Sequence, residues 1–333
     1  MATTIATVQE FLAINNDLEG DYELVNDLDF SGQSFSGGKV LGVFKGSLNG
    51  NGKTLLNITI TGWKVQSNTD AGKTVGSSSL FEGLMTSSVS NLRVKNLTLD
   101  MRDCDRQLLH AASLGYYNLA AVQCFHVENM HVRLASVASE QVVVSGISSV
   151  GLSTSANMCS IDGVHVTEEG PQNENVAVRA FSINMSGTVT NSYMRDVTGA
   201  DRVTIDNGEN RVSNCYIATE NGKIRSSAWP QFTRCYYDAT RGVQDTYNTP
   251  FAKTTAEMKQ QATFEDWDFE DVWTIREGQD YPELRCRVGV FGPLTAAEYD
   301  ALDLQAQEYD AEGLSAQQYD NWGKWYLVES KLP

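Results

Sequence analysis

The chain has no run of about 18 consecutive apolar residues, so no membrane insertion is expected. It is short of positive charge: 25 basic residues stand against 42 acidic ones, a formal net charge of −17. A phosphate backbone is held by a basic surface, so nucleic acid is not an expected partner. Cations and neutral glycans remain compatible with such a surface. The six cysteines, at 104, 124, 159, 215, 235 and 286, show no C-x-x-C spacing. That argues against a zinc site or a disulfide framework. Cys124, Cys215 and Cys235 each precede an aromatic residue in a strand-like run and read as buried free thiols.

Catalytic and export signatures are missing too. No G-x-S-x-G elbow is present. The glycine-rich stretch 44–55, FKGSLNGNGKTL, lacks phosphate-loop spacing and no helical pattern follows it. The opening MATTIATVQEFLAINNDLEG has no basic start, no long apolar stretch and no small-residue cleavage site, so it is not read as a secretory signal. A chain that starts there is expected to fold in a cytoplasm or to leave by another route. Without export, the N-x-S/T sequons at Asn57, Asn96 and Asn184 read as accidental.

What is present is a repeat. Val94-Lys95-Asn96-Leu97-Thr98-Leu99 returns as Val127-Glu128-Asn129-Met130-His131-Val132, as Ile161-Asp162-Gly163-Val164-His165-Val166 and as Met194-Arg195-Asp196-Val197-Thr198. Upstream, Leu56-Asn57-Ile58-Thr59-Ile60 fits the same pattern. The shared position holds Asn57, Asn96, Asn129, Gly163 and Asp196, at steps of 39, 33, 34 and 33 residues. Asn, Gly and Asp tolerate a left-handed backbone, and the flanking residues alternate apolar and polar. Each copy therefore reads as strand, one-residue corner, strand. A corner returning about every 33 residues marks a solenoid, here one built of strands. Asparagines at a shared corner would stack at the strand spacing of roughly 4.8 Å and hydrogen-bond as a ladder. Gly163 and Asp196 would leave that ladder partial.

Along the chain, Thr7 and Glu10 form a capping-box pair before an amphipathic stretch, predicting a short helix that covers the open edge of the first coil. Residues 63–78 are polar and rich in Gly and Ser and read as a projecting loop, with smaller excursions at 100–110 and 136–141. After Asp196 the period shortens, with Cys215 and Cys235 marking coils 20 residues apart. A short helix is expected at 255–262, with Trp267, Phe269 and Trp273 packing over the last coil. Tyr281-Pro282 breaks any regular element. A second repeat, of period ten, closes the chain: Leu294 to Tyr299, Leu304 to Tyr309 and Leu314 to Tyr319. Each decamer is too short for a stable isolated helix, so its Leu and Tyr must bury against something.

Three segments carry a family resemblance. GDYELVNDLDFSG at 20–32, FKGSLNGNGKTLLNITITG at 44–62 and SSLFEGLMTSSVSNLRVKNLTL at 78–99 resemble the GLUG-type β-helical segments of bacterial surface proteins and phage virion proteins. Residues 254–285 resemble the segment that closes such domains, and the decamer tail is similar to short repeats at the ends of phage tail and surface proteins. The resemblance implies an all-β, right-handed parallel β-helix of roughly seven to eight coils. It implies a cap helix over 1–20, the β-helix over 21–250, a closing segment over 251–290 and a helical docking or oligomerisation tail over 291–333. It further implies a non-enzymatic bacteriophage virion protein, a fibre, spike or surface-decorating component, placed on the virion after assembly in the host cytoplasm. The expected partners are other virion proteins, through the tail, host surface glycan, and further copies in a homo-oligomer. A polysaccharide-degrading tailspike and a bacterial cell-surface adhesin are the alternatives.

The register places Thr98, His131, His165 and Thr198 in one outward column and Lys95, Glu128, Asp162 and Arg195 in another. Stacked His beside carboxylates can hold a transition metal or act as acid and base. Alternating charge pairs on a solvated sheet face explain the same columns. A glycan-cleaving spike would need two carboxylates across a groove, for which Asp100, Asp103, Asp105, Glu168 and Asp201 are candidates. The acidic run Glu265 to Asp271 lacks the calcium-loop spacing. Trp63, Tyr116 and Tyr117 could stack on sugars, although Tyr116-Tyr117 equally suits a core strand. No catalytic, metal-binding or cofactor-binding residue is assigned, and no cofactor is expected.

Overall fold

The computed structural model describes residues 2–66, 74–106, 108–135, 141–152, 155–169, 176–181, 187–206, 211–225, 231–243 and 251–288. The decamer tail, with Leu294, Tyr299, Leu304, Tyr309, Leu314 and Tyr319, lies outside the described residues, as do Asn184, residues 67–73 and most of the excursion at 136–141.

The molecule is all-β and built on two large parallel sheets, an arrangement compatible with a parallel β-solenoid. The alternating pattern around Asn96 builds the strand Ser88–Asp100, whose buried residues are Val89, Leu92, Val94, Leu97 and Leu99. The alternation slips by one residue at Asn91 and again at Asn96, because each sits in a left-handed turn that redirects the chain. Ser88–Asp100 pairs in parallel along its length with Ala121–Ala135, Val94 facing Val127 and Leu99 facing Val132. One repeat later, Ala121–Ala135 pairs the same way with Ser160–Glu169. The first sheet runs from Thr3–Ile5 through Asp21–Leu24, Ser47–Asn49, Ser88–Asp100, Ala121–Ala135, Ser155–Asn157, Thr188–Thr198, Arg211–Ala218 and Tyr236–Asp238 to Ala252–Lys253. The second sheet collects the other side of each repeat, including Lys39–Phe44, Val75–Leu84, Leu108–Ala112, Gln141–Ser145, Val176–Arg179 and Arg202–Asp206.

In-register pairing stacks like on like. Leu55, Val94, Val127, Ile161, Met194, Ile217 and Tyr237 form one inward column, each at most 1% exposed. Opposite them, Ala111, Val144, Val178 and Val203 form a buried column of the second sheet. Burying each large aliphatic side chain contributes about 1.5–3 kcal/mol, and here the contributions repeat level by level.

Two columns of left-handed residues bend the chain. At the first, φ is 58° for Asn57, 57° for Asn96, 60° for Asn129, 76° for Gly163 and 54° for Asp196. Asn129 Nδ2 donates to Asn96 Oδ1 at 2.7 Å, and Asn96 Nδ2 donates to Asn57 Oδ1 at 2.9 Å. Asn57 Nδ2 in turn donates to Asp29 Oδ1 at 2.9 Å. Gly163, with no side chain, carries no amide to continue the row. The second column holds Asn91, Cys124, Met158, Asn191, Asn214 and Arg234, with φ between 49° and 53°.

Thr7 and Glu10 form the capping box of the helix Val8–Ala13. Phe11 on that helix is fully buried and meets Phe30 edge-on at 5.6 Å. Just beyond it, Asn15 Oδ1 accepts from Gly42 N and Asn15 Nδ2 donates to Val40 O, along the strand Lys39–Phe44.

The two ends of the expected projecting loop are strand residues, Lys64–Gln66 and Val75–Ser78, while 67–73 lie outside the described residues. Lys64–Gln66 pairs antiparallel with the start of Val75–Leu84, whose Val75–Ser78 segment pairs in parallel with Leu108–Ala111. Polar composition hid this strand, because Ser77, Ser78 and Ser79 are buried. Ser77 Oγ accepts from Gln66 Nε2 at 2.6 Å and Ser79 Oγ donates to Phe81 O at 2.6 Å, which satisfies two of the three hydroxyls.

Residues 254–288 form a strap. It begins with the helix Thr255–Met258, capped by Thr254 and Glu257, and contains a small antiparallel pair, Trp273–Thr274 with Glu283–Leu284. Tyr281-Pro282 lies between those two strands.

Candidate functional site

The outward columns of the first sheet carry the polar chemistry. Thr59, Thr98, His131, His165 and Thr198 stand in register on five successive strands. The rings of His131 and His165 stack with centroids 5.0 Å apart and planes tilted by 34°. His165 Nδ1 lies 3.0 Å from Thr198 Oγ1. Partial burial, then the neighbouring His165 and Arg133, push the His131 pKa below its ordinary value. The uncharged form of His131 is thereby favoured relative to a free imidazole. Among the described residues, no group of three or more His, Cys, Asp or Glu side chains is arranged to hold a metal ion.

The second column begins as alternating charge pairs and then changes character. Lys95 Nζ lies 2.6 Å from Glu128, with both side chains more than 40% exposed. Asp162 lies 2.5 Å from Arg195, but these side chains are only 14% and 15% exposed. The strap covers them and adds its own charges. Arg195 also pairs with Glu283 of the strap. Arg287 reaches Asp162 at 3.0 Å and Glu283 at 2.8 Å. Tyr193 Oη completes the cluster, donating to Glu283 at 2.7 Å and accepting from Arg287 at 2.9 Å. The upper half of the expected solvated face is thus a largely covered network of two acids and two guanidiniums. Burial works against the charge of Asp162, but Arg195 and then Arg287 outweigh it and hold that carboxyl below its usual range. Glu283 is likewise held low, burial being overcome by Arg287 and Arg195.

Trp267, Phe269 and Trp273 belong to the same covering. Trp267 meets Tyr236 of the last full repeat at 6.1 Å and Tyr216 one level down at 6.4 Å. Trp273 is fully buried and reaches Tyr193, a further level down, at 6.2 Å. The strap therefore lies along the flank of the sheet, on outward side chains, and reaches well below the last level.

Asp100, Asp105 and Asp201 each have a partner of their own. Asp100 is bound by Arg102 at 2.6 Å, and Arg102 also holds Glu169 at 2.5 Å. Asp201 accepts the backbone N–H of Val176 at 2.8 Å. Asp103 and Asp105 are exposed, and Asp105 lies 3.0 Å from Arg106. In the acidic run, Asp268 accepts the N–H groups of Glu270 and Asp271 at 3.0 and 2.8 Å, a local turn. The Trp63 ring lies under the Arg106 guanidinium, 4.6 Å from ring centre to Cζ. Tyr116 is buried, and Tyr117 lies flat over Gly83, where an added Cβ would stand 2.4 Å from the phenol ring.

One meeting was not foreseen. Cys286 of the strap comes to the second corner column, where its Sγ lies 3.5 Å from His126 Nε2 and 3.8 Å from the carbonyl oxygen of Met158. Cys124 belongs to the same buried cluster as Cys286. All six cysteines are free and buried. The one sequence signal for this meeting was positional: Cys124 stands where the preceding repeat has Asn91.

No protein-family model matches the chain, and no curated protein or solved structure is significantly similar to it.

Proposed function

We propose that the chain is a right-handed parallel β-helix serving as a non-enzymatic structural component of a bacteriophage particle, a fibre, spike or surface-decorating protein. In this reading the described sheets form a rigid scaffold whose outward positions left uncovered by the strap meet the host surface, glycan included. The GLUG-type likeness of residues 20–100 and of the closing segment, and the decamer tail, support it. The tail over 291–333 would dock the protein to other virion components or bring copies together as a homo-oligomer.

The observation that carries the reading is the sustained register. Level after level pairs in parallel from Thr3–Ile5 to Ala252–Lys253. Each level contacts only its neighbours, so such a body is stiff along its length and presents the same face repeatedly. A multivalent attachment surface has that property.

Two measurements test this. Light scattering on the full chain should give an oligomer that becomes monomeric when 291–333 is deleted. Imaging of particles with a labelled copy should place the protein on their surface. A monomeric full chain that is absent from purified particles overturns the proposal.

A further inference from the structure

We infer that Cys124 and Cys286 are a reversible disulfide site that locks the strap onto the sheet when the protein meets an oxidising thiol–disulfide pool. The inference does not depend on the function proposed above.

Two independent observations carry it. The first is backbone strain. Cys124 occupies a left-handed corner with φ 50°, and the aligned residue one level earlier, Asn91, has φ 52°. Asparagine suits that conformation and cysteine does not. In the Asn91 position the amide is used in a ladder bond to Asn49 Oδ1 at 3.0 Å, which a thiol cannot replace. Met158 and Arg234 hold the same conformation elsewhere in the column, and Cys124 is the member that brings a thiol to it. The second is convergence. Cys286, from a distant part of the sequence on the short turn Arg285–Val288, lies in the same buried cluster as Cys124, its Sγ 3.8 Å from the carbonyl oxygen of Met158, the next corner residue of the Cys124 column.

The chemistry balances with a low-molecular-weight disulfide, such as oxidised glutathione, as oxidant. The Cys124 sulfur, on the sheet, attacks once the last turn of the strap has lifted. It bonds to one glutathione sulfur and breaks the S–S bond, and the other glutathione leaves as a thiolate that takes up the Cys124 proton. Cys286 then attacks the Cys124 sulfur, the second glutathione departs, and it takes the Cys286 proton. Two protein thiols are oxidised and one glutathione disulfide is reduced to two thiols. Cys124 is 2% exposed and Cys286 8%, so the reagent enters only when the last turn of the strap lifts.

The test begins with fully reduced full-length protein, incubated with oxidised glutathione, alkylated and mapped by mass spectrometry without reduction. The expected product is a single Cys124–Cys286 linkage, reversed by dithiothreitol. The thermal midpoint should rise by about 5 °C or more on oxidation. That rise should vanish in Cys286→Ser and in Cys124→Asn, the latter chosen because asparagine fits the corner and preserves folding. The proposal is overturned if neither thiol oxidises or if either links to Cys159, Cys215 or Cys235. It is also overturned if Cys124 stops at the glutathione adduct, or if the linkage forms without raising the midpoint. Mapping of the wild-type chain decides the linkage even if a variant fails to fold.

Discussion

Asn15 holds the strand edge at Gly42 as a neighbouring strand would. Its Oδ1 accepts the Gly42 N–H at 3.0 Å, and its Nδ2 donates to the Val40 carbonyl at 3.1 Å. Leu18 continues the mimicry with its carbonyl, which accepts from Lys45 N and Gly46 N at 2.8 and 3.2 Å. An uncovered row of such groups is a template for unwanted pairing. Asn15→Ala is expected to cost about 1 kcal/mol for each of the two lost bonds. Urea unfolding followed by circular dichroism measures it, and faster turbidity growth on warming should accompany it.

The corner at Asn96 separates two contributions. Asn96→Gly keeps the left-handed backbone and removes only the ladder bonds to Asn57 and Asn129. Asn96→Ala removes the bonds and also strains φ 57° by about 1–2 kcal/mol. Stability should therefore fall in the order wild type, glycine, alanine. Equal losses for the two variants would mean that the corner stores no conformational preference.

Arg287 ties the strap to the sheet. Arg287→Met leaves Asp162 and Glu283 sharing one guanidinium, that of Arg195, in a largely covered site. The expected cost is about 2–4 kcal/mol, mostly the penalty of the uncompensated carboxylate. Trp267 and Trp273 report it directly: their fluorescence should shift to the red at lower denaturant than the far-ultraviolet signal changes. Coincident transitions would show that the strap does not open by itself.

Stability should fall in two steps as the solution is acidified. His126 is buried, and burial, then Arg287 and Arg93, push its pKa well below 6.5. The unfolded chain thus binds a proton there before the folded one does, so stability present above about pH 6.5 is lost as pH falls below it. Asp162 and Glu283 are held below their ordinary values, so their contribution is present above about pH 4 and is lost as pH falls further, through the depressed folded values. Urea midpoints at pH 7.5, 5.5 and 3.5 measure both steps. His126→Asn should flatten the upper step and leave the lower one.

Two glycines should differ in a way that space and backbone explain. An added Cβ at Gly199 would stand 2.0 Å from the Val166 carbonyl oxygen, and its φ is +74°. Gly32 has φ +78° but meets nothing within 4 Å. Gly32→Ala should cost about 1–2 kcal/mol from backbone strain alone. Gly199→Ala should cost clearly more, because backbone must also shift to clear the clash. Chemical denaturation of the two variants side by side checks the order.

The parallel architecture was legible because its cause is local and repeated. Alternation on each side of one Asn, Gly or Asp, returning near every 33 residues, is a pattern that the left-handed corner imposes on composition. The second corner column was not legible for the same reason turned round. Cys124, Met158 and Arg234 adopt φ values near 50°, yet nothing in those residue types advertises it. The only trace is the slipped alternation, with Val89 and Leu92 three residues apart where two would be regular. The charge column was readable as far as its pairs, Lys95 with Glu128 and Asp162 with Arg195. Its cover was not, because Glu283 and Arg287 lie about 90 to 160 residues away and no local pattern links them to the sheet. The strand inside 63–78 was hidden by serines whose hydroxyls are buried in the fold.

The route of the strap has a mechanical consequence. From the level of Tyr236 to that of His126 it crosses four strand spacings, about 20 Å. Its last turn, Arg285–Val288, therefore lies beside Ala121–Ala135, partway along the sheet. A pull on the chain beyond Val288 bears first on that turn, then on the Arg287 and Glu283 pairs, then on the tryptophans. The bonds open one after another, as a peeled joint does, while each parallel level below is loaded across its whole width at once. Under tension the strap would yield before the sheets, as a fuse that absorbs extension and re-forms when the load is released.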